Sequence, residues 1–189
     1  MSRNTIHTAL LEPTWHALGR RRPAGVPEAV FGWLNDRGSL TRRLIDTCPE
    51  RFRVKLCRQE WGAPFTGERR LLGVRRARFA LIREVELHCG ACPWVFARSV
   101  IPRGTLRGGG RRFALLGERP LGAMLFANPG TRRDLTQIAR LLPQHPLFTT
   151  ASAALADKPD ELWARRTLFF YAERPLLVNE VFLPEIVHA

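Results

Sequence analysis

The chain has 189 residues, 45% of them hydrophobic and 25% charged, which suits one compact domain at roughly 150 residues per domain. That balance excludes disordered and collagen-like chains, and no run approaches the about 18 consecutive apolar residues of a membrane helix. The unusual value is charge: 30 basic against 17 acidic residues give +13, and every basic residue except Lys55 and Lys158 is arginine.

A charge of that size points first to a polyanion. The arginine clusters, however, fall at 20–22, 42–43, 69–70, 75–76, 111–112, 132–133 and 165–166, scattered along the whole chain. A phosphate-binding surface gathers its charge on one face and has no reason to avoid lysine. A solvated, arginine-biased surface is therefore expected, with no nucleic-acid partner. Glu12, His7 and His16 stand where a secretory segment would be apolar, so a cytoplasmic protein without stable membrane insertion is expected. Its four cysteines, Cys48, Cys57, Cys89 and Cys92, are then expected as reduced thiols. Cys89 and Cys92 have the spacing of a redox or zinc motif, but no second knuckle matches them and Gly90-Ala91 between them reads as a hairpin turn. No metal is expected.

Residues 1–25 have little periodicity and read as an N-terminal extension before a domain over 26–189. A short helix is predicted from Pro27 to Asn35, with Val30, Phe31 and Leu34 at helical spacing. Gly38 breaks it, and Ser39 caps a second helix from Leu40 to about Thr47. Arg51 to Trp61 alternates as a half-buried strand, and 62–75 reads as a connection rich in Gly, Pro and Arg. Phe79 to Leu87 and Trp94 to Ile101 form a predicted hairpin, followed by a flexible stretch at 104–110. A short helix starts at Arg119-Pro120-Leu121-Gly122 and ends near Phe126; Thr131 to Leu141 reads as a strand. Residues 142–160 look like a surface insertion with room for one helical turn. Leu162 to Tyr171 and Leu176 to Leu183 make a second hairpin about Glu173-Arg174. The fold class is α+β: a single domain with an antiparallel sheet and helices packed on it.

Side chains alternate across a strand, so each face reads separately. Arg83 stands amid Phe79, Leu81, Val85 and Leu87; Arg98 amid Trp94, Phe96 and Val100; Glu180 amid Leu176, Val178 and Phe182. An unpartnered buried charge costs several kcal/mol, so the three must pair with one another or with a ligand. Two cations against one carboxylate leave a surplus that favours a small buried anion. At the two helix starts, Leu40 and Leu121 present first-turn amides with no partner inside the helix, and such groups bind carboxylates.

Several motifs together resemble the chorismate pyruvate-lyase family. They are Leu81-Ile82-Arg83-Glu84; Pro93-Trp94 with Arg98-Ser99-Val100-Ile101-Pro102; Leu116-Gly117 with Pro120-Leu121-Gly122 and Leu125-Phe126; and Leu162-Trp163 with Arg165-Arg166 and Pro175 through Pro184. The match runs in order from about Pro27 to Pro184. It implies helical flaps over a buried pocket, and an enzyme that removes pyruvate from chorismate to give 4-hydroxybenzoate, the first committed step of ubiquinone biosynthesis. It implies further that Arg83 binds the ring carboxylate with the amides of Leu40 and Leu121, and that Glu180 faces the ring oxygen as acid or hydrogen-bond partner. Arg98 is implied to lie along the ligand's route or to hold the enolpyruvyl carboxylate. No cofactor is implied, and a monomer is expected. Two departures stand out: Ala97 where the family often has glycine, and Leu40 where methionine is familiar.

The Ser39 to Thr47 helix, hinged at Gly38, is a candidate lid. The alternative reading is a non-catalytic, carboxylate-sensing module of the same fold, as in some bacterial transcription regulators. The roughly 25 residues before Pro27 are too few for the DNA-binding domain such regulators carry.

Overall fold

Seven strands build one antiparallel sheet: β1 (His16–Ala17), β2 (Phe52–Gly62), β3 (Ala80–Cys89), β4 (Cys92–Pro102), β5 (Thr131–Leu141), β6 (Leu162–Tyr171) and β7 (Arg174–Phe182), in the order β1-β5-β6-β7-β4-β3-β2. The computed structural model describes residues 11–74 and 79–188, so the Arg75-Arg76 pair and the first ten residues of the expected extension lie outside the described residues. The α+β class and the two hairpins are as the sequence predicts.

Helices cover both sides of the sheet. On one side α1 (Glu28–Leu34) and α2 (Leu40–Thr47) pack Trp33, Leu34, Leu40 and Leu44 against Val54, Val85, Leu87 and Ala97. The same side receives the 3₁₀ stretch Gly108–Leu115 and α4 (Leu121–Phe126), which set Phe113, Leu121 and Leu125 against Leu81, Phe169 and Val178. On the other side α3 (Thr66–Leu72) brings Leu72 against Ile82, Val100 and Leu177, and α5 (Pro146–Ala151) brings Leu147 and Phe148 against Phe96, Ala139 and Val181. Ser39 caps α2 as expected, its Oγ accepting the Arg42 amide at 3.3 Å.

Three local readings change. The stretch 62–75 is not a bare connection, because Glu68 gives α3 a reason to form: its carboxylate accepts the Phe65 amide at 2.8 Å and binds the sheet through Arg98 and Asn179. The stretch 142–160 is more than surface, since Leu147, Phe148 and Ala151 are buried. Residues 16–17 of the expected extension pair with β5, and Trp15 lies under the Arg166 guanidinium at 4.2 Å.

The two hairpins turn differently, and the difference decides which side chains meet. Ala172 and Glu173 both adopt left-handed φ, 47° and 59°, the tight two-residue turn that keeps β6 and β7 in straight register, one residue earlier than predicted. Between β3 and β4, Cys89 faces Cys92 and His88 faces Pro93, but the register steps between Leu87 and His88. Beyond that step Arg83 faces Ser99 and Glu84 faces Arg98. A hairpin without the step would set Arg83 opposite Arg98; one extra residue on β4 moves Arg98 to the other side of the sheet.

The cysteines also depart from expectation. Cys48, at the C-terminal end of α2, is joined by a disulfide to Cys89 at the end of β3, the Cα atoms lying 5.6 Å apart, while Cys57 and Cys92 are exposed thiols. The pairing arises because α2 ends over the strand end; the 41-residue separation hides it from any reading of spacing. Maleimide labelling followed by intact-mass measurement is expected to modify two cysteines in the folded protein and four after reduction and unfolding. Four rapid additions without reductant would refute the bond.

Candidate active site

A cavity opens between the sheet and the N-terminal ends of α2 and α4, with about 610 Å³ of atom-free space, part of it continuous with solvent. Its walls are mostly apolar, among them Leu40, Val85, Ala97, Leu121, Leu125 and Phe169, and three guanidinium groups (Arg83, Arg133, Arg165) and one carboxylate (Glu180) break that lining. The charges leave two positive units without a carboxylate inside the cavity.

Arg83 sits at one end. The residue is 1% exposed, yet no acidic group neutralises it: Nη2 donates to the carbonyls of Gly117 and Arg119, each at 2.9 Å, and Nε is buried with no partner among the described residues. Burial holds this guanidinium down to about 10. Two carbonyls therefore fix the group through Nη2 alone, and the residue lines the cavity with the rest of its N–H groups uncommitted, an arrangement that suits a carboxylate.

Glu180 lies on the same face two strands away and two residues along, about 10 Å by about 7 Å from strand spacing and rise. Its Oε2 accepts from Arg165 Nε at 2.7 Å, directly across the β6–β7 pair. Arg165 is also tied to structure, since Nη1 donates to the carbonyls of Trp33, Leu34 and Asp36 at the end of α1. Leu40 and Leu121 both line the cavity, each the first residue of its helix. The two helices approach closely where a side chain on Gly122 would come within 3.1 Å of the Thr41 hydroxyl.

Arg98 does not join this site, which corrects the sequence reading. The register step places it on the opposite face, where Nε and Nη2 grip Glu68 at 2.9 and 3.1 Å and Nη1 binds Glu84 at 2.5 Å. Asn179, beside it on β7, donates to Glu68 at 2.9 Å, and the Phe65 ring lies 4.1 Å from the guanidinium. Burial disfavours the Arg98 cation, but Glu68 and Glu84 outweigh it and hold its pKa above the usual value. Of the three charges that interrupt apolar strand faces, Arg83 and Glu180 share the cavity and Arg98 closes a structural network behind it.

Two cavity arginines escaped the sequence reading, Arg133 and Arg165. Both belong to doublets, and alternation along a strand splits each doublet between two environments. Arg165 enters the cavity while Arg166 goes to the back face, where Nε donates to Gln137 at 2.9 Å. Arg133 enters while Arg132 stays exposed beside Asp134. The signal was present in Arg132-Arg133 and Arg165-Arg166, masked by similar pairs elsewhere. Among the described residues no cluster of three or more His, Cys, Asp or Glu side chains is placed to hold a metal ion.

Comparison with known proteins adds a family. The chorismate lyase family model matches residues 16–189. A Nitrosomonas europaea protein named "probable chorismate pyruvate-lyase" is 42% identical over 172 residues, covering 91% of this chain and 94% of its own. A Methylococcus capsulatus protein of the same name is 45% identical over 155 residues, covering 82% of this chain and 94% of its own. Among solved structures, PhnF from Mycobacterium smegmatis superposes with a TM-score of 0.59 at 17% identity, covering 80% of this chain and 66% of the other, a likeness of fold.

The back-face network makes its own prediction. Arg98→Met strands Glu68 and Glu84 in a buried site without their cation, so urea unfolding is expected to show a loss of about 3–5 kcal/mol. A loss below about 1 kcal/mol would mean the network contributes little.

Proposed function

The chain belongs to the chorismate lyase family, and from that footing we propose that it cleaves chorismate to 4-hydroxybenzoate and pyruvate in the cavity over the sheet. The observation that carries the site assignment is the buried Arg83 with an unpartnered Nε, set on the same sheet face as Glu180 and at the other end of an apolar cavity. A ring with a carboxylate at one end and an oxygen at the other matches that spacing.

Chorismate is a dianion that bears an enolpyruvyl ether on a cyclohexadiene. Breaking the ether C–O bond and losing a ring proton makes the ring aromatic, so the reaction runs downhill and asks the protein for position and electrostatics. In this reading Arg83 takes the ring carboxylate in a charge-assisted pair, with the first-turn amides of Leu40 and Leu121 beside it. Glu180 meets the ring oxygen, held in place by Arg165. The apolar walls contributed by Val85, Ala97, Leu121 and Phe169 keep water away from the breaking bond. Ala97 narrows the floor beneath the ring where the family often has glycine.

Among the described residues no helix is long and apolar enough to cross a membrane. The reading keeps a cytoplasmic monomer that needs no cofactor and acts on a small molecule. Behind this choice over a carboxylate sensor of the same fold stand the relatives at above 40% identity, all named as lyases.

Incubation with chorismate and mass detection of products tests the function: 4-hydroxybenzoate and pyruvate in equal amounts are expected, and neither appearing from folded protein would sink it. Arg83→Ala is expected to weaken 4-hydroxybenzoate binding by about a hundredfold or more. Glu180→Gln is expected to lower kcat by about a hundredfold while moving 4-hydroxybenzoate affinity far less. Full activity in both variants would refute the site even with the function intact.

A further inference from the structure

We infer that Arg133 is the residue that recognises the second carboxylate of the substrate, the one on the enolpyruvyl arm, and so separates the dianionic substrate from the monoanionic product. The inference rests on the lyase reading and adds a residue to it. The resemblance put this role on Arg98, and Arg98 is on the wrong face of the sheet, saturated by Glu68 and Glu84. The cavity therefore needs another cation for the second charge.

The hydrogen bonds of the lining arginines select it. Arg83 stands at the ring-carboxylate end, and Arg165 has given Nε to Glu180 and Nη1 to three carbonyls of the α1 end. Arg133 is less fully committed. Its Nη1 and Nη2 each donate one bond, to the carbonyls of Arg37 at 2.5 Å and Gly38 at 3.0 Å, while Nε is buried with no partner among the described residues. A guanidinium has five N–H groups and these two bonds use two of them, so Nε–H and one N–H on each Nη are left to pair with a carboxylate.

Position agrees with this. Arg133 lines both the inner cavity and the outer groove beside Asp36, Arg37 and Asn128, and its guanidinium lies 5.5 Å from the rings of Phe126 and Phe169. It stands where the two spaces meet, near enough to Glu180 and Arg165 to feel both charges. The enolpyruvyl ether sits next to the ring oxygen in chorismate, so an arm leaving the Glu180 end toward the mouth reaches Arg133. Burial, and then Arg165, push its pKa down while Glu180 and Asp36 act the other way, so an arriving carboxylate relieves an incompletely matched cation. Once the ether is cut, pyruvate carries that carboxylate away and the remaining product has nothing to offer Arg133.

The test compares Arg133→Gln, Arg133→Lys and wild type in two measurements, KM for chorismate and the inhibition constant of 4-hydroxybenzoate, with thermal melts to establish folding. Arg133→Gln is expected to raise KM about tenfold or more and to change the product inhibition constant less than about threefold. Arg133→Lys, which keeps the charge and loses the fork, is expected to fall between. Equal shifts in both constants would mean that Arg133 only ties down the loop at Arg37 and Gly38, and no shift in KM would mean it does not touch substrate; either ends the inference with the lyase reading intact. Wild-type protein that releases no pyruvate ends both.

Discussion

Burying a guanidinium without a counter-charge is costly, and the sheet buries four of them: Arg83, Arg98, Arg165 and Arg166 are all under a tenth exposed. How the strands align decides which of these cations are neutralised and which are kept for a ligand. The single register step in the β3–β4 hairpin does most of that sorting. It sends Arg98 to the back, where two carboxylates enclose it, and leaves Arg83 on the front facing Ser99, with only carbonyl oxygens behind it. Were the hairpin straight, both cations would crowd one face, and Glu68 and Glu84 would be buried behind the sheet without theirs. The step costs one unpaired residue and prevents both errors.

Most of the elements were legible in the sequence because they follow local rules. Ser39 before an amphipathic run marks α2, Gly90-Ala91 marks the first hairpin, and the alternation of β6 and β7 survives intact in the structure. Arg83 and Glu180 were legible for the same reason: a charge amid an apolar stripe stands out when the period is two. Leu40 and Leu121 line the cavity at helix starts that Ser39 and Pro120 announce.

The misses share a different cause. Alternation says which residues of one strand share a face, but matching that face to the next strand needs the register, and a one-residue step is silent in sequence. Arg98 was assigned to the wrong side for that reason. The helix α3 was missed because its stability is tertiary: Glu68 holds it through Arg98, Asn179 and the Phe65 amide, none of which is visible in the stretch 62–75 itself. The Cys48–Cys89 bond joins elements 41 residues apart. Arg133 and Arg165 were hidden by composition, since in a chain with so many arginine doublets the two that line the cavity look like the rest.

The same packing sets limits on how the cavity opens. Of its two covering helices, α2 was the expected lid with Gly38 as hinge, yet it is the more firmly tied. Its last turn ends at the disulfide, Arg43 lies 3.8 Å over Trp33 of α1 while donating to the Gly32 carbonyl, and the Gly38 carbonyl is held by Arg133. The other cover, α4, spans six residues and ends at the exposed Phe126. The loop leading into it is held by Arg83 through Gly117 and Arg119. Arg83, a cavity cation, therefore also anchors the approach to α4, so whatever engages its guanidinium bears on the segment that covers the cavity.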